Sequence, residues 1–207
     1  MEFTPQQAAT LAEIMLWRRD VRHFLTDPVP EEMLERLRHA MDHAPSVGNA
    51  RPWRVIRVES PGLRAAVRAE FTRCNQDAAA TYEGEQATAY AKLKLAGLDA
   101  APVQLAVFTE TDPEAGHRLG RATMELTLQQ STAMAIFALW LAARAENLGV
   151  GAVSILEPKV VEQLFNVPAH WEFSAYLCVG KPAFTDDTPL LHRAEWQRNE
   201  QTVWEKG

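Results

Sequence analysis

Arg18-Arg19-Asp20-Val21-Arg22 places three guanidiniums and one carboxylate within five residues. Planar, permanently charged forks of this kind can converge on a phosphate through bidentate hydrogen bonds. They also have a plainer use, since arginines in a last helical turn complement the helix dipole and pair with nearby acids. A second set lies in Ala44-Pro45-Ser46-Val47-Gly48-Asn49, where a hydroxyl, open backbone amides and bare Gly48 let a flat ligand come close. Turn residues between a helix and a strand need no function, however. The third is Leu148-Gly149-Val150-Gly151-Ala152-Val153-Ser154-Ile155. It lacks the third glycine of a dinucleotide fingerprint and runs from helix to strand, so the Rossmann reading fails. Ser154 remains as a hydroxyl inside an apolar strand, ordinarily explained by a structural hydrogen bond to backbone. His39 and His43 share a helix face with Asp42 between them, but no third ligand is spaced behind them. They read as surface residues, and no metal site is expected. No Ser-His-Asp arrangement can be assembled by spacing, and Cys74 and Cys178 lack an activating context. Cys178, within the apolar run Ala175 to Val179, reads as a buried thiol.

The elements that must position these groups follow from periodicity. Thr4 as N-cap and Pro5 at the first helical position open a helix that ends near Trp17 to Asp20. Met33, Leu34, Leu37, Ala40 and Met41 mark a second helix at helical spacing. Trp53 to Glu59 reads as a strand. Residues 61–100 read as two or three helical pieces, of which Asn75 to Ala91 is too polar for a core. Leu93, Leu95 and Leu98 then resume an apolar face. Val103 to Thr109 is a strand, and Arg121 to Asn147 is the longest helix, ended by Gly149 as a C′ glycine. Its wide apolar surface comprises Met124, Leu128, Met134, Phe137, Ala138, Leu141 and Ala142. Val150 to Leu156 is a strand, Pro158 to Phe165 a short helix, and Phe173 to Gly180 a strand. Trp196 and Trp204 in a polar tail point to packing against something, here a second subunit. The class is α+β or α/β, with long helices over a small sheet.

The 207 residues, 47% hydrophobic and 23% charged, suit one domain that buries about 70% of its unfolded surface. The net charge of −6 argues against nucleic-acid or membrane-surface partners, so any anion site is a local arginine cluster. The start of the chain lacks the basic and apolar regions of a signal peptide, and Met134 to Ala145 is too short to span a bilayer. A cytoplasmic address is expected.

Taken in order, these segments resemble the flavin-binding motifs of nitroreductase-fold flavoproteins. Arg18-Arg19-Asp20-Val21-Arg22-His23-Phe24 is similar to the opening motif, whose arginines hold the FMN phosphate and ribityl chain. Ala44 to Gly48, followed by Pro52-Trp53, resembles the second flavin segment. Three features narrow the resemblance to the 5,6-dimethylbenzimidazole synthases of that fold. Asp20 stands where many nitroreductases carry serine. Phe71 to Pro102, with Asn75, Glu85, Tyr90 and Lys94-Leu95-Ala96-Gly97, looks like a lid over the flavin. Leu139 to Glu146 through Val153-Ser154-Ile155 is similar as well. The resemblance runs from Trp17 to Gly180.

The resemblance implies an α+β nitroreductase-like fold over residues 1–207, a small mixed or antiparallel sheet packed by long helices. It implies a helical lid at 71–102 and a C-terminal extension at 182–207 that reaches a partner subunit. The implied reaction consumes reduced FMN with dioxygen as co-substrate. It yields 5,6-dimethylbenzimidazole, the lower ligand of vitamin B12, and D-erythrose 4-phosphate. Asp20 and Ser154 are the implied catalytic residues, and Arg18, Arg19, Asp20, Val21, Arg22, Ser46, Leu95 and Ser154 the implied flavin contacts, with Arg198 a further candidate for the phosphate. The family implies a homodimer with the Arg121–Asn147 helix in its interface, and a separate NAD(P)H-dependent flavin reductase supplying reduced FMN. Two alternatives stay open. One is an NAD(P)H-dependent nitroreductase or flavin reductase with an open face over the ring; the other is a non-catalytic FMN-binding protein in which Asp20 is dispensable.

Overall fold

Two strands with apolar residues on both faces set the architecture. In β2 (Val103–Glu110), Val103 and Val107 face one way and Ala106 and Phe108 the other; in β4 (Trp171–Gly180), Leu177 and Val179 oppose Tyr176 and Cys178. Such strands belong at the centre of a sheet covered on both sides. The computed structural model, which describes residues 1–207, has them there. The sheet is antiparallel throughout, in the order β1-β2-β4-β3, with β1 (Trp53–Arg57) and β3 (Gly149–Val153) at its edges. Helices α2 (Glu31–Asp42) and α5 (Thr127–Ala145) cover one face through Leu37, Met41, Ala135, Leu139 and Ala143. Helices α3 (Pro61–Ala79) and α6 (Pro158–Leu164) cover the other through Val67 and Val161. The class is α+β, and Cys178 is fully buried, its thiol pKa pushed up to about 12 by that burial.

Helix α1 (Pro5–Trp17) begins with the expected Thr4 cap, reinforced by Gln7: each side chain accepts from the other's backbone N–H, at 3.3 and 2.8 Å. It buries no residue of its own and leaves Leu11, Met15 and Leu16 exposed. Helix α4 (Gly84–Ala91) and the short α7 (Leu190–Arg193) complete the set.

Several expectations need correction. Helix α5 starts at Thr127, not Arg121; the buried Arg121 donates from Nη2 to Asp112 Oδ1 (3.1 Å) and to the Pro113 carbonyl (2.9 Å), which holds the preceding residues in a loop. At its other end Asn147, with φ +59°, takes the left-handed position expected of Gly149, which instead begins β3. The buried face of α5 runs through Leu128, Ala135, Leu139 and Ala143, while Met134 and Phe137 of the expected apolar surface stay exposed. Residues 93–97 belong to no helix or strand. The polar stretch Asn75 to Ala91 does bury one side chain: the Tyr90 hydroxyl donates to Asn75 Oδ1 (2.7 Å), and its ring stacks on Tyr82 at 4.8 Å. Trp196, expected on a partner, packs edge-on against the chain's own Tyr82 at 5.4 Å, whereas Trp204 is exposed.

Residues 20–25 lie along the free edge of β3 and the chain after β4. The Val21 N–H donates to the Val150 carbonyl (3.0 Å), Leu25 to Lys181 (2.9 Å) and Ala183 to His23 (2.9 Å). Asp20 Oδ1 accepts from the Ala152 N–H at 2.9 Å. Gly151 makes this approach possible, because a Cβ there would fall inside the Val21 carbonyl oxygen; at Gly149 it would meet the Val21 side chain at 2.7 Å. The Gly-Val-Gly sequence is therefore a berth for a neighbouring chain segment.

Glu70 ties α3 to the start of α6. Only 7% exposed, it accepts from Arg73 Nη2 (2.6 Å), Cys74 Sγ (3.1 Å) and the Glu157 N–H (3.3 Å). The Arg73 bonds, with those from Cys74 and Glu157, outweigh burial and hold its carboxyl at about 2, below the ordinary 4.5.

Two outcomes are expected. Gly151→Ala should lower stability by about 1–3 kcal/mol through overpacking, read from the urea midpoint, and an unchanged midpoint would contradict the berth. Glu70→Gln should cost about 1–3 kcal/mol at neutral pH. A carboxyl whose pKa is lowered on folding contributes fully above its unfolded value and loses that contribution as pH falls through the folded value. The gap between the two proteins in urea melts should thus shrink as pH falls from 4.5 to about 2.

Candidate functional site

The docked segment carries the arginines, and each guanidinium takes a different direction. Arg18 caps α1 in an extended conformation and lies over the Trp140 ring at 5.0 Å, with Phe137 at 5.9 Å. Burial, and then Arg19, push its pKa down, and Asp20 opposes them. Arg19 donates from Nε to the Asp187 carbonyl (2.9 Å), from Nη1 to the Arg18 carbonyl (2.8 Å) and from Nη2 to the Leu16 carbonyl. Trp140 Nε1 donates to the Arg19 carbonyl at 3.3 Å, pinning this corner to α5. Arg22 pairs with Asp20, Nη2 to Oδ2 at 2.7 Å, and reaches the Lys94 carbonyl from Nη1 at 3.1 Å.

Asp20 is therefore held at both oxygens, by Ala152 on β3 and by Arg22. Leu95 follows the residue whose carbonyl Arg22 grips, so the 93–97 loop is tied to Arg22. Ser154 lies just past the end of β3 and is exposed, not within the strand as expected. It stands two residues beyond Ala152, about 7 Å along an extended chain. Asp20 and Arg22 thus form one group, with the Lys94 carbonyl bonded to it and Ser154 two residues past the Ala152 that bonds Asp20.

Ser46 does not join it. Its Oγ accepts from the Arg51 N–H at 3.1 Å, and the adjoining Val47 N–H donates to Ser131 Oγ at 3.0 Å, near the start of α5. Trp140, which holds the arginine corner, lies nine residues (131 to 140) further along α5, about 13.5 Å of helix axis. Gly48, with φ +56°, turns its bare face to the Gly116 and Leu119 carbonyls, 3.0 and 3.1 Å from where a Cβ would stand, and not toward open space.

A cleft between the docked segment, the last turns of α5 and the tail is lined by Arg18, Arg19, Arg22, Arg144 and Arg193, against Asp20 and Asp186. A local excess of positive charge in a chain of net charge −6 suits a phosphate. Arg18 suits it best, as a partly buried cation that burial disfavours and an arriving anion would restore.

Arg198 is exposed in the tail. His39 is exposed and lies 3.7 Å from Asp42, and no group of three His, Cys, Asp or Glu side chains is placed to hold a metal ion. No helix is long and apolar enough to cross a membrane. Sequence reasoning missed Trp140, the Lys94 carbonyl and Asp187. Their only signals were a tryptophan on a long helix and two backbone carbonyls in loops, none of which names its partner before the chain is folded.

Residues 15–181 match the Nitroreductase family. The chain is 64% identical over 206 residues to a 5,6-dimethylbenzimidazole synthase of Rhodobacter capsulatus, covering all of both chains. It is 50% identical over 195 residues to the protein of that name from Rhodospirillum rubrum, covering 94% of this chain and 92% of that one. Among solved structures, oxidised iodotyrosine deiodinase bound to FMN and 3-iodo-L-tyrosine superposes with a TM-score of 0.76 at 24% identity, over 95% of this chain and 99% of that one. The antiparallel sheet with its docked arginine segment and these matches lead to one assignment: the chain belongs to the nitroreductase family.

Proposed function

We propose that this protein is a 5,6-dimethylbenzimidazole synthase, which fragments reduced FMN with dioxygen into 5,6-dimethylbenzimidazole and D-erythrose 4-phosphate. The observation that carries the reading is Asp20, clamped between the Ala152 N–H and Arg22 on the segment that also presents Arg18, which no carboxylate bonds. The relatives at 64% and 50% identity support the activity by their names.

When bound, reduced FMN supplies the electrons for dioxygen and the carbon skeleton of both products. Arg18 takes the phosphate. Arg19 and Arg22 keep their carbonyl partners and turn their remaining N–H donors to phosphate and ribityl oxygens, fixing the chain against the ring. Val21, on the same docked segment, would be a further flavin contact. Asp20, its carboxylate oriented by two donors, moves protons at the ribityl chain or ring edge. Ser154 donates its hydroxyl to a flavin heteroatom. Leu95 closes the site from residues 71–102, which act as a lid on a single domain spanning 1–207. A closed lid excludes nicotinamide and bulk water while admitting dioxygen.

Ser46 enters through a second copy. Met134 and Phe137 are exposed on α5, as are Leu11 and Met15 on α1, which packs against it; apolar surface of this kind is what a homodimer covers. Two α5 helices packed antiparallel about a two-fold axis bring the start of one to the end of the other. The partner subunit's Ser46 then meets the Asp20 group across the interface. Reduced FMN comes from a separate NAD(P)H-dependent flavin reductase, in the cytoplasm.

The test is to mix the protein anaerobically with chemically reduced FMN, admit air and analyse the small molecules by mass spectrometry. Dimethylbenzimidazole is expected, falling at least about 100-fold in Asp20→Asn, as for a lost general acid–base group, and markedly in Ser154→Ala. Quantitative recovery of oxidised FMN would overturn the reading. NADH-driven reduction of nitroaromatics with FMN intact would then mark a nitroreductase, and flavin bound without turnover a carrier.

A further inference from the structure

The tail returns over its own chain and touches it in two places. Near its start the Phe184 ring packs on His23 at 5.4 Å, and Asp187 offers its carbonyl to Arg19 at 2.9 Å. The turn into α7 is stiffened by Arg193 Nε on Asp186 Oδ2 (3.0 Å) and by the Thr188 N–H on Asp186 Oδ1 (2.8 Å). Beyond α7 the Trp196 N–H donates to the Leu191 carbonyl at 3.0 Å. Its indole then meets Tyr82 at 5.4 Å and Tyr90 at 6.0 Å.

Those two tyrosines bracket α4, Tyr82 just before it and Tyr90 in its last turn. Between residues 76 and 94 Tyr90 is the one buried side chain. A segment with so little apolar burial opens readily on its own. Two contacts fasten it to the arginine segment: Arg22 on the Lys94 carbonyl from one side, and the Tyr82–Tyr90–Trp196 cluster, carried on the tail that Arg19 holds, from the other.

We infer that Trp196 is a positioning residue that clamps the lid shut. Because the tail is anchored on the arginine segment, Trp196 ties lid closure to the site that takes the flavin phosphate, and closure decides which electron donors and acceptors reach the ring. This rests on the lid and the flavin site proposed above. Trp196 itself touches the lid but none of the proposed flavin contacts.

Hydrogen exchange on the whole flavin-free protein tests the clamp independently of the reaction. In Trp196→Ala the amides of residues 80–94 should exchange roughly tenfold faster or more, the worth of two aromatic contacts, with β2 and β4 amides unchanged. Trp196→Phe should recover most of the protection, and Trp204→Ala should match the wild type. With FMN, NADH and air, Trp196→Ala should also oxidise NADH, returning oxidised FMN and hydrogen peroxide. Wild-type exchange in the lid of Trp196→Ala, or equal loosening in Trp204→Ala, would overturn the clamp. A wild-type protein that makes no dimethylbenzimidazole would overturn the synthase reading instead, while leaving the exchange comparison intact.

Discussion

One hydrogen bond seats the segment that carries this chain's arginines: Asp20 Oδ1 accepting from the Ala152 N–H at 2.9 Å. With the neighbouring Val21 bond to the Val150 carbonyl it lays residues 20–25 against the edge of β3. An edge strand with unpaired backbone groups is a liability, and this segment covers it. The arrangement demands glycine at 151, since any Cβ would occupy the place of the Val21 carbonyl. Once the segment is seated, the arginines have fixed origins. Arg18 turns to Trp140, Arg19 to the tail and Arg22 back to Asp20 and the 93–97 loop. The fold's largest investment, a sheet buried on both faces, serves to hold that edge still.

Electrostatics then separates the arginines by role. Arg19 and Arg22 are already bonded within the chain, to carbonyls and to Asp20. Arg18 lies on aromatic rings, and burial disfavours its charge. Against a net charge of −6, a cleft lined by five arginines is a local inversion of the overall field. A phosphate is the ligand class that such a cleft and such a cation favour together.

The helices and strands were largely legible because their signals are local: the Thr4 cap, the spacing of Leu37 and Met41, the alternation in β2 and β4. That Asp20 and Ser154 serve one site is implied by family resemblance alone and by no local signal. What stayed hidden depends on long-range partners. Arg121 reads as helix until Asp112 and the Pro113 carbonyl claim its guanidinium. Gly149 reads as a helix stop until Val21 is seen to need its bare Cα, while Asn147 takes the left-handed turn. Trp196 looks like an interface residue until the tail folds back onto Tyr82. Ser46 appears beside the arginines on a list of motifs, yet the length of α5 keeps them apart in one chain.

The most direct test of the account is a binding comparison of FMN with riboflavin, which lacks the phosphate, on the wild type and on Arg18→Ala. The docked segment should make FMN bind at least about tenfold tighter than riboflavin, by a charge-assisted contact, with the advantage falling as salt rises and largely lost in Arg18→Ala. Equal affinity for the two flavins in the wild type would contradict the claim that this segment is a phosphate site.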